Sequence, residues 1–336
     1  MKIAILHGPR DLRVEDQDLD TNNLGPQQIW VETEVTGFKI GTDRGNYEGA
    51  ERVPGAPDFP RWVGDSNLGY VRGVGSKVQR FAVGDRVVSR YPHQSEYVAE
   101  EDEGIVIVPE GVAHEDAVFA HLYGLSFYCY HKGQFRPSET VAVVGLGVLG
   151  LGAVAVGPLL GARVVGIGND SGRLEMAKSM GAHAAFMSDD EDLDTKLQEF
   201  SGGRGIDLVI LAANPWPAFR TAVEIVRTSG RVSIVGLNGR GEAPLDFNPL
   251  DMRWFWNKGI TLTAANGYAA DPFPTVEDRF GPERRCAHML SLMAEGKLEP
   301  KRLVTHRLHY SEMVEAYEMA YRREKNMLNV VFNWKD

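Results

Sequence analysis

The sequence predicts an α/β protein in which a doubly wound parallel sheet is joined to a second, strand-rich unit. Three patterns carry that prediction. Residues 122–265 alternate short apolar strands with helical stretches, as a parallel sheet covered on both faces requires. Within them a strand runs straight into a glycine-rich turn and then a helix. Residues 1–120, by contrast, break into short strands separated by Gly, Pro and Asp turns.

In chain order, the opening MKIAIL reads as a strand that gives way to polar residues too soon for a secretory leader. Gln28–Val35, Leu68–Val74 and Asp85–Ser89 follow as strands of the first unit. The middle unit runs strand Thr140–Val144, a helix from Val148, strand Arg163–Ile167, helix Ser171–Met180, strand Leu208–Leu211, helix Pro217–Val226 and strand Arg231–Val235. The tail holds two helices, Pro282–Glu295 and Ser311–Arg323, and a last strand, Leu328–Phe332. These helices differ from those of the middle unit, so the tail is expected to return to the first unit.

Composition narrows the function classes. A chain of 336 residues suits two domains. Its 43% hydrophobic and 24% charged residues are those of a globular enzyme rather than a disordered chain. No apolar run reaches the roughly 18 residues of a membrane span, so no membrane partner is expected. A net charge of −10 disfavours nucleic acid, whose phosphates need clustered Lys and Arg. Cys129 and Cys286 are too few for a disulfide framework or a cysteine-rich metal site, which points to a reducing, cytoplasmic setting.

The most specific motif is Gly145-Leu146-Gly147-Val148-Leu149-Gly150, directly after the strand Val141–Val144. In a G-x-G-x-x-G loop Gly145 makes the tight turn, Gly147 lets a pyrophosphate approach the backbone, and Gly150 lets the helix pack on the strand. The diphosphate then lies at a helix N-terminus, where unpaired N–H groups and the helix dipole favour negative charge. The next strand ends at Gly168, where NAD enzymes carry an acidic residue for the ribose 2′-hydroxyl. Glycine leaves room for a 2′-phosphate, with Asn169 and Arg173 nearby, and this favours NADP over NAD. Asp170 keeps NAD open, because a small displacement of the loop would bring it to the hydroxyl.

With the loop placed, the chain resembles the medium-chain dehydrogenase/reductase superfamily over nearly its whole length. Val74-Gly75-Ser76-Lys77-Val78 and Val83-Gly84-Asp85-Arg86-Val87-Val88 look like its GroES-like domain. Gly202-Gly203-Arg204-Gly205-Ile206-Asp207, Gly230-Arg231-Val232 and Val235-Gly236-Leu237 look like its coenzyme domain, and Val304-Thr305-His306-Arg307 like a segment before its penultimate helix. The resemblance implies a GroES-like, β-rich catalytic domain of residues 1–121 and 266–336. It also implies a Rossmann coenzyme domain of residues 122–265 and an active site in the cleft between the two. Asn214, Gly236 and Leu237 join the cofactor contacts, and a homodimer or homotetramer is expected.

The zinc alcohol dehydrogenases of that superfamily carry a catalytic Cys, a His-Glu pair and a further Cys or Glu. Set against Gly41-Thr42-Asp43 and Gly64-Asp65-Ser66-Asn67-Leu68-Gly69, this pattern puts Ile40 at the cysteine, Asp65 at the histidine and Ser66 at the glutamate. His121 falls at the third ligand, and no cysteine precedes Cys129 to form the structural zinc lobe. Zinc needs at least three N, S or carboxylate ligands, so no metal is expected. Another group must then stabilise the alkoxide. The resemblance puts Thr42 where zinc relatives relay the substrate proton. Asp65 with His121 forms a candidate acid–base pair, and Lys39 a candidate oxyanion stabiliser. Plainer roles stand beside these: a turn-capping Asp65, a packed His121, a solvated Lys39, a Thr42 that serves its own backbone.

The function expected is metal-independent hydride transfer between NAD(P) and an alcohol or ketone, with a polyhydroxylated, sugar- or polyol-like small molecule as substrate. An enone or quinone reductase is the alternative, although the Asn-Pro-x-Asp usual in such relatives near position 40 is absent. A non-catalytic dinucleotide-binding protein is the alternative from another class. Tyr47 and Tyr123 are further candidates for hydroxyls in the site, or for plain packing. Trp254-Phe255-Trp256 is read as core, interface or pocket, and Ala269–Gly281 as a lid or surface loop.

Overall fold

The computed structural model describes residues 1–49, 58–240, 242–266 and 281–335. They fall into two compact units, Met1–His121 with Val276–Asp336, and Leu122–Thr275. The expected second boundary, at 266, adjoins residues 267–280, so that boundary and the Ala269–Gly281 loop lie outside the described residues except at Gly281.

In chain order the first unit contains β1 (Lys2–Leu6), β2 (Leu12–Asp16), β3 (Gln28–Phe38), α1 (Ile40–Tyr47), β4 (Arg61–Trp62), β5 (Asn67–Val74), β6 (Arg86–Ser89), β7 (Glu96–Glu100), β8 (Val106–Ile107) and α2 (His114–Ala117). Helix α3 (Ala120–Lys132) leads into the second unit. There follow β9 (Thr140–Val144), α4 (Val148–Leu159), β10 (Arg163–Gly168), α5 (Ser171–Ser179), β11 (Ala184–Met187), α6 (Leu193–Ser201), β12 (Ile206–Leu211), α7 (Trp216–Ile225), β13 (Val226–Ile234) and β14 (Thr261–Ala264). The tail adds α8 (Pro282–Ala294), β15 (His306–His309), α9 (Met313–Tyr321) and β16 (Val330–Asn333).

The second unit is a six-stranded sheet in the order β11-β10-β9-β12-β13-β14, with every pairing parallel. Strand β9 is buried at all five positions, as a central strand covered on both faces must be. Chain order reverses at β9, and that is where an open sheet of this kind leaves a crevice at its strand ends. The glycine loop leaves β9 at that point.

The first unit is mainly antiparallel. Its larger sheet runs β15-β16-β3-β5-β6-β8, with β7 also paired to β3, and a smaller one runs β2-β1-β4. Strand β3 alternates buried and half-buried residues over its first seven positions, the period-2 pattern of a sheet with one covered face. Strand β16 pairs antiparallel with β3, Val330 opposite Phe38, so the tail completes this sheet. Phe38, Phe332 and Tyr317 pack edge to face in the core beneath it.

Helix α1 has no counterpart among the expected elements, because IGTDRGNY contains two glycines and little helix-forming strength. It forms because Ile40 and Tyr47 pack on the core and the Asp43 carboxylate bonds back to its first residues. Trp254-Phe255-Trp256 divides. Trp254 is in the core of the second unit and Phe255 packs on it, whereas Trp256 is 74% exposed.

Candidate coenzyme loop and charged cluster

The coenzyme loop is built by two glycines that no other residue replaces cheaply. Gly145 has φ 97°, and a Cβ there would lie 2.6 Å from the Ala213 Cβ at the end of β12. A Cβ at Gly150 would run into the Gly145 carbonyl, so α4 can lie this close to its strand only with glycine there. Gly147 is the N-cap of α4, has no side chain to cap it, and faces open space where its Cβ would be. The first-turn N–H groups of α4, at Val148 and Leu149, therefore form an uncapped helix N-terminus. A dinucleotide pyrophosphate fits such a cradle.

The surroundings of that loop refine the expected cofactor contacts. A Cβ at Gly168 would lie 3.0 Å from Leu146 Cδ1, so the room left by glycine is bounded by the leucine of the loop itself. Asp170 caps α5, its Oδ1 accepting the Arg173 N–H at 3.0 Å. Arg173 is half-buried on the first turn of α5, and Asn169 is exposed just before it. Asn214 accepts the Leu237 N–H through its Oδ1 (2.9 Å) and the Gly239 N–H through its carbonyl (2.9 Å). Its acceptors thus hold the loop after β13, with Gly236 and Leu237, against the loop after β12.

In the first unit, Lys39 is buried and ion-paired with Asp65, which corrects the solvated alternative for that lysine. Lys39 is the N-cap of α1, its backbone N–H donates to Asp43 Oδ2 (2.7 Å), and its carbonyl accepts the N–H groups of Thr42 and Asp43. Thr42 is exposed on the first turn of α1. Asp65 follows Gly64, whose φ is 86° and whose Cβ would lie 2.5 Å from the His93 ring. The turn that presents the carboxylate is thus fixed by a buried imidazole.

The expected direct Asp65–His121 pair is not formed, because the carboxylate pairs with the ammonium instead. A desolvated carboxylate needs a full opposite charge, which a neutral imidazole does not supply. Burial alone would raise the Asp65 pKa, but Lys39 first, then Arg90 and His121, bring it below the ordinary carboxylate value. His121 is held neutral, its pKa lowered to about 3 by burial and by the nearby cations Arg90 and Lys39. Its Nε2 is buried and has no hydrogen-bond partner among the described residues.

Sequence reasoning missed three neighbours of this cluster. Asp43 is buried, and its carboxyl is pushed up to about 7 by burial and then by the Asp65 charge. The Tyr317 hydroxyl lies beside it, pushed up by burial and by Asp43. His93 is fully buried, with Nδ1 2.8 Å from Thr36 Oγ1, and that hydroxyl also accepts the Trp334 Nε1–H at 3.0 Å. Only Asp43 carried a local signal, as the last residue of Gly41-Thr42-Asp43. Tyr47 is corrected in its role: buried, it donates to Glu318 Oε1 (2.6 Å) and packs on Tyr317. Tyr123 is buried beside Gly152 of α4.

Comparison with known proteins agrees with this architecture. A family described as "Zinc-binding dehydrogenase" matches residues 148–280. The sorbitol dehydrogenase of Bacillus subtilis is 23% identical over 98% of this chain and 96% of its own. An NADP-dependent isopropanol dehydrogenase of Entamoeba histolytica is 24% identical over 75% of each. The crystal structure of galactitol-1-phosphate dehydrogenase from Escherichia coli superposes with TM-score 0.83 at 21% identity, covering 99% of this chain and 100% of that one. The chain shares its fold, a β-rich unit and a unit built on a six-stranded parallel sheet, with that structure.

Zinc is implied by the matched family's description, and the donors of the cluster do not fit it. The Asp65 carboxylate carries the Lys39 ammonium, and Ile40 packs into the core. His121 adds one imidazole. Among the described residues no three His, Cys, Asp or Glu side chains are grouped to hold a metal ion. A superfamily zinc needs three such ligands.

Proposed function

We propose that this chain is a nicotinamide-dependent oxidoreductase that transfers hydride between the cofactor and a carbinol or carbonyl carbon of a polyol- or sugar-like substrate, without zinc. The uncapped N-terminus of α4, with open space over Gly147, is the observation that carries it. Its relatives, a sorbitol dehydrogenase among them, support the substrate class.

The nicotinamide, when bound, accepts or gives the hydride. The chain's own residues handle the oxygen and the proton. The Lys39 ammonium, held by Asp65, supplies the positive charge that stabilises a developing alkoxide. Neutral His121, with its Nε2 unpaired, takes the hydroxyl proton during oxidation and returns it during reduction. Asp43 fixes the Lys39 backbone, and His93 supports the turn that carries Asp65. Glycine at 168 and Arg173 on α5 favour NADP, and the similarity to an NADP-dependent isopropanol dehydrogenase supports that preference; expected assembly into a homodimer or homotetramer is part of the same proposal.

The test is a fluorescence titration of the chelator-treated protein with NADH and NADPH side by side. Tighter NADPH binding is expected. Tighter NADH binding would overturn the cofactor preference, and binding of neither would overturn the enzyme. Reduction of enones but not ketones would transfer the activity to activated C=C bonds.

A further inference from the structure

A line of hydrogen bonds runs from the last residues of the chain to the turn that carries Asp65. Trp334, just after β16, is buried and stacks on Tyr310 with ring centroids 4.9 Å apart. Its Nε1–H donates to Thr36 Oγ1 on β3 (3.0 Å), and the same hydroxyl meets His93 Nδ1 at 2.8 Å. The His93 imidazole is fully buried, edge to face with Phe332 and Tyr317. Its backbone N–H donates to the Val63 carbonyl (2.9 Å), one residue before Gly64. A Cβ at Gly64 would lie 2.5–2.7 Å from the ring atoms Cδ2, Cγ and Nε2. Near-equal distances to three ring atoms place Gly64 over the face of the imidazole. That face is therefore the wall against which the Gly64 turn, and with it Asp65, is set.

Counting donors and acceptors assigns the ring proton. Burial keeps His93 neutral, lowering its pKa to about 3, so one ring nitrogen carries hydrogen and the other a lone pair. The indole N–H of Trp334 can only donate, so it occupies one lone pair of Thr36 Oγ1 and fixes the hydroxyl rotor. Were Nδ1–H the donor, the Thr36 hydroxyl proton and a bare Nε2 would both lack a partner among the described residues. With the hydroxyl donating to Nδ1, only the Nε2–H is left over, and one buried orphan costs less than two. Taking the hydride-transfer function above as given, we propose that Thr36 and Trp334 are positioning residues for it. They hold His93 as the Nε2–H tautomer in one ring orientation, and the held ring sets Asp65 on the Lys39 ammonium that faces the reacting oxygen. Strand β16, at the end of the chain, thereby keeps the charged cluster in place.

The experiment has two readouts on the full-length protein, neither of which needs turnover. Nitrogen NMR of the His93 ring should show an acceptor nitrogen at Nδ1 and an N–H at Nε2 in wild type. Thr36→Val should give a mixture of tautomers, and Thr36→Ser, which keeps the hydroxyl, should restore the wild-type pattern. Where Thr36→Val fails to fold because it strands the Trp334 N–H, Thr36→Val with Trp334→Phe removes both ends of that bond and carries the test. The second readout is the shift in urea midpoint caused by Lys39→Met. It should be smaller in the Thr36→Val and Trp334→Phe backgrounds than in wild type, because members of one network are not additive. An N–H at Nδ1 in wild type, a wild-type pattern that survives Thr36→Val, or equal Lys39→Met shifts in all backgrounds overturns the proposal. The result is separable from the enzyme assignment: equal shifts with NADPH binding intact refute the positioning line alone, whereas absence of nicotinamide binding refutes hydride transfer.

Discussion

Replacing Lys39 by Met would show what the ammonium does for the buried carboxylate beside it. The Asp65 side chain is 16% exposed and that of Lys39 7%, so the pair is close to fully desolvated. Removing one partner of a buried pair leaves an uncompensated charge, at about 3–5 kcal/mol. The residual exposure of Asp65 and the nearby Arg90 place Lys39→Met toward the lower end, about 3 kcal/mol at pH 8. The pH dependence gives the sign. With Lys39 present, the folded Asp65 pKa is below its unfolded value, so its contribution is present above that unfolded value and is lost as pH falls through the folded one. Without Lys39, burial dominates and the folded pKa rises above the unfolded one. The carboxyl then favours the fold at low pH and loses that contribution as pH rises through its new value. The gap between wild type and variant should widen from about pH 4 to pH 8. Urea denaturation across that range measures it, and adding Asp65→Asn to Lys39→Met should close most of the gap. A variant within about 0.5 kcal/mol of wild type at pH 8, or a gap independent of pH, would refute the buried pair.

Three further outcomes are expected. Asp43→Asn removes a carboxyl raised by burial and by Asp65, whose contribution is present below its unfolded pKa and lost as pH rises through about 7. The variant should be more stable than wild type by about 2–4 kcal/mol at pH 8 and equal to it near pH 4, as read by urea melts. Gly145→Ala forces a Cβ onto Ala213 at φ 97° and should weaken NADPH binding at least about tenfold with a loss of about 1–3 kcal/mol of stability, by fluorescence titration and thermal melts. Arg173→Ala should weaken NADPH about 10-fold and leave NADH unchanged; equal effects on both would remove Arg173 from the 2′-phosphate site.

The coenzyme unit was legible because its signals are local. Strand β9, the glycines of its loop and the helix after it lie within 20 consecutive residues, and each has the composition its backbone demands. The first unit showed its strands for the same reason. The charged cluster was less legible, since its members meet only through tertiary contact. Nothing in Pro92-His93-Gln94 tells that the imidazole will press on Gly64 and bond to Thr36. Lys39 looks like any surface lysine until β5 and α1 bring Asp65 to it. In Trp254-Phe255-Trp256, similar aromatics end up core and exposed because a single irregular turn decides which face each takes.

The most direct test of metal-free hydride transfer combines elemental zinc analysis with initial rates on sorbitol, sorbitol 6-phosphate and gluconate, using NADP and NAD, before and after exhaustive chelation. The account predicts far less than one zinc per chain and a rate that chelation leaves unchanged. One zinc per chain, with activity lost on chelation and restored by zinc alone, would contradict it.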